Sequence, residues 1–85
     1  MEYRVLLTKS ARRALLALPG EQGERIAGAL RSLHQDPYSR VKRLKGSQLF
    51  SMRVGDYRIL LTIRRDQLLV LVIRIGHRGN VYRGL

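Results

Sequence analysis

Arg53 and Arg58 bracket a Gly55-Asp56 turn in "RVGDYRILLTI", and His77, Arg78, Tyr82 and Arg83 follow close together in "GHRGNVYRGL". Arginine makes planar, two-pronged grips on phosphate or carboxylate, so these positions are candidates for holding an anion. Arg53 and Arg58 read equally well as solvated hairpin charges or as two walls of such a site. Histidine changes charge nearest to neutrality, which makes His77 a candidate for moving protons. Tyr82 lies between Arg78 and Arg83, and positive neighbours favour a phenolate. Lys42 and Lys45, in the basic stretch "YSRVKRLKG", are further proton-transfer candidates. His34, late in a helical pattern, suits a helix-end role instead. With no cysteine, and no carboxylate at ligand spacing from either histidine, neither a metal site nor a disulfide is expected.

The charge balance points the same way. Seventeen Lys and Arg stand against six Asp and Glu, for a formal net charge of +11. Only Lys9, Lys42 and Lys45 are lysines, and the rest of the basic set is arginine. The excess is concentrated after residue 38, where only Asp56 and Asp66 offset the basic groups. A field of this kind recruits a polyanion: nucleic acid, an acidic protein or a membrane surface. A membrane is the least suitable of the three, because the basic residues fall on expected strands and loops rather than on a basic amphipathic helix. The N-terminal residues alternate without a signal-peptide core, and no apolar run approaches spanning length, so a cytoplasmic protein is expected.

Eighty-five residues suffice for a single domain, 1–85, with one thin core. "YRVLLT" (Tyr3–Thr8) alternates as a strand. "TKSARRALLALP" then has Ala11, Ala14, Leu15 and Leu18 at helical spacing, with Thr8 or Ser10 as cap and Pro19 as stop. A second helix follows in "EQGERIAGALRSLHQD", with Ile26, Leu30 and Leu33 as its stripe, ending before Pro37. So short a break between them predicts a helical hairpin lying on a sheet. Tyr38–Gly46 reads as a loop with a short extended piece. Strands are expected over Gln48–Val54, Tyr57–Arg64 and Gln67–Ile75, joined by turns at Gly55-Asp56 and Arg65-Asp66. The order is β-α-α-β-β-β, an α+β fold.

Alternation then assigns faces. Phe50, Met52, Val54, Tyr57, Ile59, Leu61 and Ile63 share one face, with Leu69, Leu71, Ile73 and Ile75 expected beside them under the helices. The second face carries Ser51, Arg53, Arg58, Arg64 and Arg74 among Leu49, Leu60, Leu68, Val70 and Val72. A mixed basic and apolar face of this sort suggests a surface that something else covers. Arginine stems lying over aliphatic neighbours would look the same, and for Arg64 and Arg65 beside Asp66 that plainer reading is preferred.

Three blocks, "SARRALLALP", "RLKGSQLFSMRVGDYRILLTI" and "LVLVIRIGHRGNVY", resemble the RelE/ParE superfamily of toxins from toxin–antitoxin pairs, and most closely its RelE branch. The resemblance implies a small curved antiparallel sheet with an N-terminal helical hairpin packed on it, and a metal-independent, cofactor-free endoribonuclease that enters the A site of the small ribosomal subunit and cuts mRNA. It also implies a cognate antitoxin that wraps the toxin and blocks its basic surface. Position by position, Arg58 falls on the arginine used at the scissile phosphate and Arg78 on a second phosphate-stabilising arginine. Arg53 falls on a basic strand residue, and Tyr82 on a tyrosine that stacks on or activates the substrate. Ser51 departs, standing where well-known members have a catalytic lysine. Lys42, Arg43, Lys45 and Arg83 would extend the RNA-binding surface. Two other readings remain open: a ParE-like poison of DNA gyrase, which shares the fold, and a non-catalytic module that grips RNA or an acidic partner.

Overall fold

The computed structural model describes residues 2–77. Strand β1 (Arg4–Leu7) leads into helix α1 (Lys9–Ala17) and helix α2 (Gly20–Ser32). A two-residue strand, β2 (Lys42–Arg43), precedes β3 (Phe50–Val54), β4 (Tyr57–Arg64) and β5 (Leu69–His77). The chain is thus α+β in the expected order, and β2 is the extended piece inside the basic loop. Arg78, Tyr82 and Arg83 lie outside the described residues.

Local chemistry sets the helix ends. The Thr8 hydroxyl accepts from the Ala11 amide at 3.1 Å, satisfying one of the amides left over at the start of α1. Leu18 leaves the helix in an extended conformation just before Pro19, and α2 begins at the next residue. Ala11 is buried under α1, while Ala14, Leu15 and Leu18 pack at the edge of the core. Ile26, Ala29, Leu30 and Leu33 are buried from the α2 side. At the far end of α2, the Tyr3 amide donates to the His34 carbonyl at 2.7 Å, and His34 Nδ1 lies 2.8 Å from the Tyr3 carbonyl. His34 therefore ties the helical hairpin to the start of β1, a structural role.

The sheet order is β1-β5-β4-β3-β2. β2 to β5 form the antiparallel meander, and β1 joins its β5 edge in parallel, so the sheet is mixed. The helical hairpin between β1 and the meander is long enough to make that parallel return.

One expectation about β5 fails. The β4–β5 pairing steps from Leu60↔Arg74 to Leu61↔Val72, which leaves Ile73 as an extra residue. That bulge shifts the inward set by one position. Val70, Val72 and Ile75 are the buried residues of β5, whereas Leu69 and Leu71 pair with Arg64 and Thr62 toward the second face. The Thr8 hydroxyl donates to the Ile73 carbonyl at 2.6 Å, so one side chain both caps α1 and satisfies the bulge. Arg74 remains on the second face beside Leu60, as alternation predicts. Among the described residues, no helix is long and apolar enough to cross a membrane.

Candidate functional site

The β3–β4 hairpin positions the site. Val54 pairs with Tyr57, so Gly55 and Asp56 alone make the turn, and Gly55 adopts φ +59°. A glycine in that first turn position accepts the left-handed conformation without the penalty a side chain would bring. The tight turn fixes the register, and the register sets Arg53 directly opposite Arg58. Two pairs further from the turn, and so on the same face, Ser51 faces Leu60 on β4 and Lys42 on β2. Leu60 in turn pairs with Arg74, so Lys42, Ser51, Leu60 and Arg74 form one row across four strands.

These residues open a cleft of about 320 Å³ lined by Arg40, Lys42, Ser51, Arg53 and Arg58. Ser51 is only 7% exposed and forms the floor, and the cations form the walls. The Arg53 Nε donates to the Gly55 carbonyl at 3.3 Å, which holds that side chain along the rim. Like charges directly opposite on neighbouring strands are destabilising. Here four cations surround a small polar floor, and no carboxylate lines the cleft among the described residues. Cations gathered around a polar floor suit an anion, and a phosphodiester offers oxygens for two-pronged guanidinium contacts.

The structure sorts the expected site residues into three groups. Arg53, Arg58 and Lys42 come together in the cleft. His77 does not join them: it pairs with Tyr57 and packs edge-on against that ring, with centroids 5.5 Å apart. Tyr57 packs against the core, so His77 stands on the helix-bearing side, away from the cleft. Arg43, paired with Phe50, also points away, its guanidinium carbon 5.8 Å from the Phe50 ring centroid. Lys45 lies in the loop between β2 and β3, outside the cleft. Arg78, Tyr82 and Arg83 cannot be placed in either set, being beyond the described residues. Arg40 is the residue that sequence reasoning missed. It sits in the turn before β2 rather than on the strand, so no alternation in the sequence announces it. Among the described residues, no group of three or more His, Asp or Glu side chains is placed to hold a metal ion.

Comparison with known proteins agrees with this architecture. A family model described as the ParE toxin of type II toxin–antitoxin systems, parDE, matches residues 5–82. Toxin RelG of Mycobacterium tuberculosis is 34% identical, over 98% of this chain and 99% of its own. Two solved complexes align at the level of structure. The RelBE2 toxin–antitoxin complex of M. tuberculosis matches with a TM-score of 0.84 and 31% identity, over 92% of this chain and 100% of that one. The archaeal RelE–RelB complex of Pyrococcus horikoshii OT3 matches with a TM-score of 0.83 and 27% identity, over 95% of this chain and 100% of that one.

Proposed function

This chain belongs to the RelE/ParE superfamily, as a toxin of a type II toxin–antitoxin system, and from that premise we propose that it is a metal-independent, ribosome-dependent endoribonuclease. Its substrate is mRNA in the A site of the small ribosomal subunit, and the outcome is arrest of translation. The observation that carries this reading is the cation-walled cleft in which Arg53 directly opposes Arg58.

The chemistry divides into three tasks. The 2′-oxygen attacks phosphorus and loses its proton, the P–O5′ bond breaks, and the departing 5′-oxygen gains a proton. Arg58 and Arg53 hold the phosphate as charge builds on its oxygens, a task for which an always-charged planar group is suited. Arginine is a poor proton donor, however, and the resemblance to the family offers only Ser51 where a lysine is expected. Lys42, directly across from Ser51, brings an ammonium into the same cleft from the neighbouring strand. We assign it the proton that the 5′-oxygen takes up. Arg78 and Tyr82 complete the site in this proposal, Arg78 as a second phosphate clamp and Tyr82 at the nucleotide as the base that takes the 2′-OH proton. A cognate antitoxin covers the basic cleft and keeps the toxin silent, in keeping with the relatives seen as toxin–antitoxin complexes.

Primer extension on a translated message, with and without the protein, tests the activity. Discrete ribosome-dependent cuts are expected, and their absence at full arrest of translation would count against it. A ParE-like action on DNA gyrase is the second reading, favoured by the family model that matches residues 5–82. It predicts early loss of DNA supercoiling after induction, whereas the nuclease reading predicts early loss of protein synthesis.

A further inference from the structure

We propose that the groove on the opposite side of β2 is a second RNA site, one that stacks an unpaired nucleobase. It rests on the RNA-binding part of the function above, but not on cleavage. Lys42 and Arg43 are successive residues of an extended strand, so they point to opposite faces. Lys42 enters the phosphate cleft, and Arg43 enters a groove of about 360 Å³ whose lining includes Tyr38, Phe50, Arg64, Arg65 and Asp66.

Its chemistry differs from that of the cleft. Tyr38 is 43% exposed, so one side of its ring is open to solvent. Its ring meets Phe50 edge-on, with centroids 6.0 Å apart and planes at 78°. Arg43 covers the Phe50 ring and is braced by a bond from its Nε to the Ser47 carbonyl at 3.3 Å. The result is an exposed aromatic ring beside a fixed, flat guanidinium. Arg64 is engaged by Asp66 through two contacts of 3.4 Å, which leaves Arg65 and Arg43 as the cations that serve the groove.

An acidic peptide would be met by the cations alone and would gain little from the ring. A nucleobase uses both parts, because every base has a π-face for Tyr38 or Arg43 while its phosphate reaches Arg65. Aromatic platforms beside basic grooves are the usual means of holding single-stranded RNA without reading its sequence. A single strand crossing the β2 edge would thus be gripped by its phosphate on one face and by a base on the other.

Binding of a short, labelled single-stranded RNA to the whole chain tests this, alongside the same oligonucleotide with abasic positions. Tyr38→Ala should weaken binding of the base-bearing RNA by about 5- to 150-fold, the loss of one stacked base. Tyr38→Trp should restore it, and the abasic RNA should bind wild type and Tyr38→Ala equally. Because Tyr38 is at the surface, an unchanged thermal unfolding curve is the control for folding. Equal binding of the base-bearing RNA by wild type and Tyr38→Ala would overturn the proposal. An equal loss for base-bearing and abasic RNA would overturn it too, since that is an effect of charge or shape rather than stacking. Tyr38-dependent binding by a protein that makes no cuts would leave this site standing and remove the nuclease reading. No RNA binding at all by the wild-type chain would overturn this site alone, because the nuclease reading acts through the ribosome and is tested there.

Discussion

The two faces of the β3–β4 hairpin carry opposite kinds of residue on the same backbone. Toward the helices, Met52, Val54, Ile59 and Leu61 are all no more than 6% exposed and form the centre of the core. Toward the other side, Ser51, Arg53 and Arg58 line the cleft, with Arg53 and Arg58 directly opposed. The first face is explained by burial, since each apolar side chain removed from water contributes to stability. The second has no such explanation. In the function proposed above, the opposed arginines are matched to the phosphate of the RNA. One face holds the fold and, in the proposal above, the other holds the RNA phosphate; variants that separate the two test the division.

The largest effect is expected from the core face. Ile59→Ala should lower unfolding stability by about 2–5 kcal/mol, read by denaturant unfolding, because Ile59 is fully buried and the hole cannot close. A loss below the range of a surface substitution would mean that the helix-bearing face is not the structural one. Next comes Lys42→Arg on the cleft face, which keeps the charge but removes the group assigned to proton transfer. It should leave RNA affinity near wild type and slow cleavage by about 10²-fold. Cleavage at the wild-type rate would show that Lys42 acts only as a charge. The smallest expected effect belongs to neither face but to the joint between sheet and helices. Thr8→Ala removes both the cap on α1 and the bond to the bulged Ile73 carbonyl. Thermal or denaturant unfolding should report a loss of about 0.5–2 kcal/mol. Cleavage should change little once the protein is folded.

These same regions differ in how far the sequence revealed them. The faces of β3 and β4 were legible, because polar and apolar residues alternate strictly from Phe50 to Val54 and the Gly55-Asp56 turn fixes the pairing. The helix stripes were legible for the same reason, at a different period. β5 was not. From Leu68 to Ile73 every residue is apolar, so alternation has nothing to distinguish the two sides. The bulge at Ile73 is stabilised by Thr8, sixty-five residues away in sequence, which no local pattern can announce. The parallel pairing of β1 with β5 is likewise a long-range contact.

The site shows the same divide. That Arg53 and Arg58 share a side follows from their own strands and turn. The entry of Arg40 and Lys42 depends on the register of β2 against β3, set across a loop of six residues that includes the left-handed Gly46. His77 was drawn to the site by its neighbours in sequence, yet its pairing with Tyr57 turns it to the other face. Ser51 changes meaning as well. Read along the chain it is a missing lysine, whereas across the sheet it is the floor beneath Lys42.

Ribosome-dependent cleavage of a translated message by the Arg58→Ala protein, set against wild type, tests the role of the opposed arginines most directly. Primer extension gives the rate, and thermal unfolding confirms that both proteins are folded. Loss of one preorganised cation at the phosphate predicts a fall of about 10²–10³ in rate, with a folded protein remaining. Cleavage by folded Arg58→Ala at the wild-type rate would contradict the account, because the cleft would then not be where the phosphate is held.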